Sequence, residues 1–585
     1  MTFKLNPETD KWLEPLRRMT AAVPLADPFG NATYYRISMN AVTHNFHPKL
    51  QGIPVWTYGN GCPGEIIEAQ VGKPVRISWF NNLKQSSLRS VLELGTRQGM
   101  EEDHMLDKPH NQVHLHGARV PSSSDGFPEH VYHPNEGRIF YYPNEQAAAT
   151  LWYHDHTMDV TRLNVYAGLS GMYLLRHKDE KTLLPSGDQE IVLILQDKSF
   201  SDDGKKLHYE QRVDATDPAN VEAIPEFVGD YPVVNGQIWP TLKLEPRIYR
   251  LRLCNGSNTR FFNLSITPQS NSQQCHEFHV IGTDGGFLPA PVRTQRLLLS
   301  PGERIDMLLD LQDCRNHKLI LRNNAPIPYS GDPDDARYKA PNYLPLPAND
   351  HCSELLQIVV NRGADGGYQD GKFDPAKIVL PPYVDPLPDS RPPDRSMFAA
   401  IEAAISTIPI DVRQKALVVN QLNFMLRRFK LEEYQIAMST PPGVVSPTVL
   451  VNGKSWNIPT PDLTPVVTQR GAVEVWEFAN VTPDTHPMHI HLVQFQVMSR
   501  TWLDVQPNSS RKTSTLPDPM DVIAYQGSAR IEDWEKGWKD TVQCHPGQST
   551  RVLMKFDGYP GDYLFHCHIL EHEDMGMMYR VKVEP

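Results

Sequence analysis

The 585-residue sequence predicts an all-β protein made of three homologous domains in tandem. Three observations carry that prediction. One pattern of turn, strand and closing asparagine occurs three times, at intervals of roughly 175 and 225 residues, too far apart for a solenoid of ~20–50-residue repeats, so the repeating unit is a whole domain. Proline is abundant, 51 residues against 36 glycines, which suits short strands joined by many ordered loops. Helical periodicity is scarce, and short strands broken by Gly, Pro, Asn and Asp clusters fill each copy, the pattern of an antiparallel sandwich or barrel.

In the first copy, Pro63-Gly64 precedes the run VRISWFN at 75–81, which alternates with period two and ends in Asn81. Residues 83–109 form a polar loop region, either a lid near a donor site or a solvated excursion. A charged, turn-prone stretch at 178–188 separates a strand at 171–176 from the apolar strand at 191–195 and marks a boundary. The second copy leads from Val234-Asn235-Gly236 through Trp239 and Glu245-Pro246 into the alternating run at 249–255, closed by Asn255. Proline-rich segments at 381–386 and 391–393 then predict an extended, semi-rigid linker, followed by the best helical stretch, SMFAAIEAAIS at 396–406. The third copy leads from Val451-Asn452-Gly453 through Trp456 to the strand at 473–480, closed by Asn480. The domains are expected at 1–180, 181–365 and 366–585.

Composition excludes several classes of function. The formal net charge is −12, and no Lys/Arg run offers a footprint for nucleic acid. Neither an apolar core of a signal peptide at the N-terminus nor an uninterrupted apolar stretch of about 18 residues is present, so no membrane partner is expected. The expected location is the cytoplasm, with a spore coat or the cell surface as the alternative. Seven cysteines are too sparse and too odd in number for a disulfide scaffold.

Histidine carries the chemistry. Ten of the 23 histidines fall in four segments: His114-Leu115-His116, His154-Asp155-His156, His486-Pro487-Met488-His489-Ile490-His491, and His566-Cys567-His568 followed by His572. In an extended strand, residues i and i+2 share a face, so each His-x-His pair presents two imidazoles together to a metal. Imidazole alone accepts zinc, copper, iron or nickel. Cys567 narrows the choice, because two histidines, a thiolate and a thioether form the ligand set of a blue-copper electron-transfer centre. His572 and Met577 follow Cys567 at spacings that place them on the loop leaving its strand, with Met575 and Met578 as neighbouring thioethers; His486 completes the set. The side chains of His566 and His568 leave the strand on the face opposite Cys567, so three consecutive residues link two metal sites.

These segments resemble those of the three-domain multicopper oxidases, which include laccases, bilirubin oxidases and phenoxazinone synthases. The run at 566–574, HCHILEHED, and the stretch at 161–168, TRLNVYAG, are most similar to bacterial spore-coat laccase, and Ile281–Gly286 and Pro301–Arg304 extend the likeness through the middle of the chain. The resemblance implies three tandem cupredoxin-like Greek-key β-barrel domains and four copper ions. It implies a type 1 copper on His486, Cys567, His572 and Met577, and a type 2 copper on His114 and His489. The type 3 pair would take His116, His154, His156, His491, His566 and His568. The trinuclear cluster would then lie between the first and third domains, with the middle domain as spacer and wall. Glu573 and Asp125 match acids assigned to proton delivery.

The implied reaction is one-electron oxidation of a donor coupled to four-electron reduction of dioxygen to water. The expected donors are small aromatics: phenols, aminophenols or bilirubin-type tetrapyrroles. The alternative is a metallo-oxidase for Cu(I), Fe(II) or Mn(II), although the 18 methionines form no soft-ligand insertion of the kind Cu(I) oxidases carry. Fungal bilirubin oxidases place a tryptophan two residues before the type 1 histidine, where this chain has Asp484, which favours the laccase-like reading over the bilirubin one.

Overall fold

The computed structural model of the chain describes residues 3–84, 86–94, 107, 109–209, 212–213, 221–222, 226–331, 346, 350–361, 373–382, 395–406, 417–419, 424–438, 444–452, 465–507 and 520–585. Sheets dominate it: three pairs along the chain and one two-stranded ribbon, Arg212–Val213 with Val221–Glu222. In the first pair, Ile53–Tyr58, Thr33–His44, Val75–Asn81 and Gly137–Tyr142 form one sheet; Ile67–Gln70, Ser170–Arg176, Ala149–Asp155 and Val113–His116 form the other. Strands from Glu190–Phe200 to Glu354–Val360 build the second pair, and strands from Leu417–Val419 to Met578–Glu584 build the third.

The threefold sequence pattern is a threefold topology. In each pair one sheet contains the same parallel neighbours: Thr33–His44 beside Val75–Asn81, Glu190–Phe200 beside Ile248–Asn255, and Phe424–Met438 beside Val473–Asn480. The partner sheets carry a second parallel pair, Ile67–Gln70 with Ser170–Arg176, Thr241–Leu244 with Glu354–Val360, and Val466–Gln469 with Met578–Glu584. Parallel neighbours cannot be joined by a hairpin, so each pair of sheets is tied by crossovers into a Greek-key barrel.

The closing asparagines explain why the pattern ends as it does. Asn81, Asn255 and Asn480 are all fully buried. The Nδ2 of each donates to two backbone carbonyls: Pro109 and Tyr132, Arg260 and Leu299, Asp484 and Cys544. The Oδ1 of each accepts the backbone N–H two residues on, from Leu83, Ser257 and Thr482. One amide thus satisfies three backbone groups where a strand leaves its sheet, which no apolar side chain can do.

Several expectations change in detail. The helical stretch is a single turn at Arg395–Met397 followed by a helix at Phe398–Ser406, packed on the third pair of sheets through Phe398, Ile401 and Ile405. The charged stretch at 178–188 is mostly exposed, with one exception among its charged residues. Its Glu180 is fully buried and binds Arg176, Arg250 and Arg252, joining the last strand of the first unit to the middle sheet. Residues 83–109 are neither lid nor solvated excursion in their described first half. Leu83, Leu88, Val91 and Leu92 are buried in the core, and Leu92–Leu94 pairs in parallel with Leu207–Tyr209. Residues 95–106 of that segment, most of the proline-rich linker (383–394) and Gly453 and Trp456 of the third turn lie outside the described residues. Among the described residues, no helix is long and apolar enough to cross a membrane.

Candidate metal centre

Strand pairing brings the histidines together. Val113–His116 runs antiparallel to Ala149–Asp155 with His114 opposite His154 and His116 opposite Trp152. His156 follows the strand end, its N–H bonded to the Gln112 carbonyl at 2.7 Å. Far along the chain, His486–Ile490 runs antiparallel to Gly561–Cys567 with His489 opposite His566 and Met488 opposite Cys567. The two sets of strands meet face to face. The His114 ring stacks on His491 at 3.9 Å, and the His116 ring stacks on His489 at 3.6 Å.

The ten histidines and Cys567 resolve into small groups whose ligand atoms lie within 4.8 Å of one another: His114, His116 and His489; His116, His154 and His568; His156, His491 and His566; His486, Cys567 and His572. In the last group the Cys567 Sγ lies 3.5 Å from His486 Nδ1 and 3.7 Å from His572 Nδ1. Met577 is fully buried in the same core cluster as Cys567, and its carbonyl accepts the Cys567 N–H at 3.0 Å.

The donor set fits copper. Burial drives the pKa of all ten imidazoles far below the usual range, which keeps them in the neutral, ligating form. His491 and His566 direct Nε2 at each other across 3.3 Å, while their Nδ1 atoms face Asp125 Oδ2 and the Cys567 carbonyl. Two lone pairs in that position repel unless a cation lies between them. The Nε2 atoms of His114, His154 and His489, the Nδ1 of His116 and both ring nitrogens of His568 are buried without a hydrogen-bond partner. Orphaned acceptors in such number mark a site built for metal rather than for folding alone. Burial likewise pushes the Cys567 thiol far up, so a thiolate there requires a cation.

Two acids stand against these imidazoles. Asp125 Oδ2 lies 2.7 Å from His491 Nδ1, and its carbonyl lies 2.6 Å from His114 Nδ1. Glu573 sits between groups, 3.2 Å from both His156 Nδ1 and His566 Nδ1. Burial raises both carboxyl pKa values, Asp125 to about 6 and Glu573 well above the usual carboxylate range. The short helix Leu570–Asp574 supplies Glu573, and each of its neighbours has a separate partner. Glu571 accepts from Tyr209 (2.7 Å), Asn258 (2.9 Å) and Thr259 (2.6 Å) of the middle unit. His572 belongs to the Cys567 group, and Asp574 accepts the N–H groups of Thr161 and Arg162.

Sequence reasoning missed the partners that hold this arrangement. Arg304 and Glu571 fall in stretches that carry the resemblance but were given no role, and Asp540 and Thr541 were not singled out; Glu571, held by Tyr209, Asn258 and Thr259, ties the middle unit to the third. Thr482 Oγ1 lies 2.7 Å from His486 Nε2 and was also missed, although its place after Asn480 is the repeated signal that could have found it. Asp155, within a histidine segment, faces away from the imidazoles and takes Asn164 Nδ2 and the Thr157 N–H instead.

Three multicopper oxidase family models match residues 102–180, 197–332 and 428–585. The sequence is 33% identical to a laccase of Bacillus stratosphericus over 93% of this chain and 94% of that protein. It is 31% identical to a laccase of Bacillus subtilis (strain 168) over 96% and 98%, and 29% identical to the multicopper oxidase LPR1 of Arabidopsis thaliana over 94% and 88%. Among solved structures, the fold matches a laccase from Pediococcus acidilactici with TM-score 0.64 at 23% identity, covering 98% of this chain and 94% of that one. The chain belongs to the multicopper oxidases, copper-dependent oxidoreductases built from cupredoxin-like domains. Within that family it is similar to the bacterial laccases, and as a multicopper oxidase it binds four copper ions, one type 1, one type 2 and two type 3.

Proposed function

We propose that the chain is a laccase-type oxidase that takes single electrons from a small aromatic donor, a phenol, aminophenol or bilirubin-type compound, and passes them to dioxygen. In this reading the domains are 1–180, 181–365 and 366–585. His486, Cys567, His572 and Met577 hold the type 1 copper, and His114 and His489 hold the type 2 copper. His116, His154 and His568 hold one type 3 copper, and His156, His491 and His566 hold the other. When bound, the coppers supply the one-electron couple on the donor side and the reduction of dioxygen to water.

The observation that carries the reading is the placement of three consecutive residues. Cys567 belongs to one group, while His566 and His568 belong to two others, so the backbone gives electrons a bonded route between sites. Glu573, touching His156 and His566, and Asp125, touching His491, are the groups placed to hand protons inward. The similarity to proteins named laccase supports the aromatic donor.

A second reading, oxidation of a metal ion, is favoured by one feature. The Asp484 carboxyl, two residues before His486, is buried and hydrogen-bonded to Glu226, and burial raises its pKa to about 6. Paired carboxyls at the point of electron entry suit a divalent cation. Oxygen uptake by the copper-loaded protein with o-aminophenol, a dimethoxyphenol and bilirubin, compared with Cu(I) and Fe(II), separates the readings. The aromatic reading requires fast uptake with the organic donors and little change in Asp484→Asn. Uptake with metal ions alone, lost in Asp484→Asn, replaces it with the second reading.

A further inference from the structure

Four imidazoles of the cluster present a nitrogen in the same way, and His116 departs from them. His114, His154, His489 and His566 each turn Nδ1 to a backbone carbonyl, at 2.6, 2.8, 2.8 and 3.0 Å, which leaves Nε2 for the metal. His116 is reversed. Its Nε2 lies 3.1 Å from Asp540 Oδ1 and 3.1 Å from Thr541 Oγ1, while Nδ1 is the buried atom without a partner. Nδ1 is close to the main chain and finds a carbonyl locally. Nε2 is at the far end of the ring, so a reversed histidine needs a side chain brought from elsewhere.

That side chain is itself held. Arg304, from the turn after Pro301-Gly302 in the middle unit, is completely buried and uses all five of its N–H donors. Nε donates to the Thr150 carbonyl at 2.9 Å, Nη1 to the Gly302 carbonyl at 2.9 Å and Asp540 Oδ1 at 2.8 Å, and Nη2 to the Asp284 carbonyl at 3.2 Å and Asp540 Oδ2. Both Asp540 oxygens accept from the fork, and in the contact with Asp540 Oδ1 it is His116 Nε2 that donates. Asp284 and Lys539 brace the pair: the Arg304 N–H donates to Asp284 Oδ1 at 2.8 Å, and Lys539 Nζ donates to Asp284 Oδ2 at 2.8 Å. The same turn presses on a second member of that group. Gly302 has φ +84°, and a Cβ there would lie 2.8 Å from the His568 ring.

We propose that Arg304 is a positioning residue for the trinuclear site: by gripping Asp540 through both carboxylate oxygens it fixes His116 with Nε2–H outward and Nδ1 facing His154 and His568. The proposal rests on the copper assignment given above. It makes the middle unit a third contributor to a site whose imidazoles come entirely from the other two. A lysine at 304 keeps the charge but offers three donors in place of five and cannot reproduce the fork.

The test compares Arg304→Lys and the charge-free double variant Arg304→Met/Asp540→Leu with wild-type holoenzyme. The double variant leaves no unpaired buried ion, so one of the two remains available if the other fails to fold. The readouts are copper per chain, the blue absorption of the type 1 site, its bleaching by donor without oxygen, and the electron paramagnetic resonance of the cluster. The expected result is an unchanged blue band and donor bleaching, an altered cluster resonance, and about a 10- to 100-fold loss of copper retention or oxygen turnover. A folded variant with four coppers, wild-type resonance and wild-type turnover overturns the proposal. Loss of the blue band together with the cluster signals also overturns it, since that is general destabilisation. Independently of any variant, 15N-histidine NMR of the fully reduced wild-type holoenzyme should find His116 protonated at Nε2, and protonation at Nδ1 refutes the assignment. If the type 1 band never forms in wild type, the copper assignment itself has failed and not the role of Arg304.

Discussion

The three closing asparagines allow one perturbation to be made in equivalent places with different consequences. Asn480→Ala removes bonds of 2.7 and 2.8 Å to the Asp484 and Cys544 carbonyls and two of 2.8 Å from the Thr482 N–H and hydroxyl, all buried. Asn255→Ala removes bonds of 2.8 and 2.9 Å to Arg260 and Leu299 and one of 3.0 Å from Ser257. At about 1 kcal/mol net for each lost bond, with extra cost where a buried backbone group stays unpaired, Asn255→Ala should be destabilised by about 3 kcal/mol and Asn480→Ala by about 4 kcal/mol. The functional outcomes should differ. The loop held by Asn480 carries Thr482, whose hydroxyl meets His486 Nε2, whereas the loop held by Asn255 carries Asn258 and Thr259, which grip Glu571. Urea denaturation of the copper-free proteins measures the first effect, and the blue absorption of the copper-loaded proteins measures the second. Asn480→Ala should shift or weaken the blue band, and Asn255→Ala should leave it largely intact. A loss below about 0.5 kcal/mol in both, the size of an ordinary surface substitution, or equal changes in the blue band, would refute the reasoning.

Cys567→Ser should remove the blue band while the other cluster imidazoles still bind copper, read by metal analysis; a variant that stays blue means the type 1 site lies elsewhere. Glu573→Gln should retain four coppers and donor oxidation but slow oxygen consumption by roughly 100-fold, the low end of general acid–base catalysis, and an unchanged rate would remove its proton role. His44 gives a pH prediction away from the coppers. Burial is the main cause holding its pKa at about 4, with Arg17 also lowering it and the Gly236 carbonyl opposing, against an ordinary value of 6.5. The unfolded chain therefore takes up a proton here before the folded one does. Stability is fully present above about pH 6.5 and falls as pH drops toward 4, with a loss of roughly 3 kcal/mol from this one group. His44→Gln should flatten the pH dependence of urea unfolding by about that amount, and an unchanged slope would rule it out.

The fold and the imidazoles were legible because both are written in local spacing. The i, i+2 rule puts His114 with His116 and His566 with His568, and the recurring asparagine announces the repeat. The supports were not legible, since they join residues 236 and 362 positions apart, Arg304 to Asp540 and Tyr209 to Glu571. Nothing in one sequence pairs an arginine with an aspartate at that distance. The segment at 83–109 misled for a different reason. Its apolar residues Leu88, Val91 and Leu92 are few and lie among serines and arginines, yet they occupy one face of a single helical turn and the start of a strand, and that face is buried.

The helix Leu570–Asp574 gives four successive side chains four destinations: the middle unit, the type 1 group, the cluster imidazoles and the first unit. Each residue added to a helix turns the next by about 100°. An insertion or deletion within this turn would therefore misdirect every downstream side chain at once, while many single exchanges would damage only one connection. The turn acts as an indexing peg. It admits variation in kind but not in number, and any working change in domain arrangement must keep those four residues in phase.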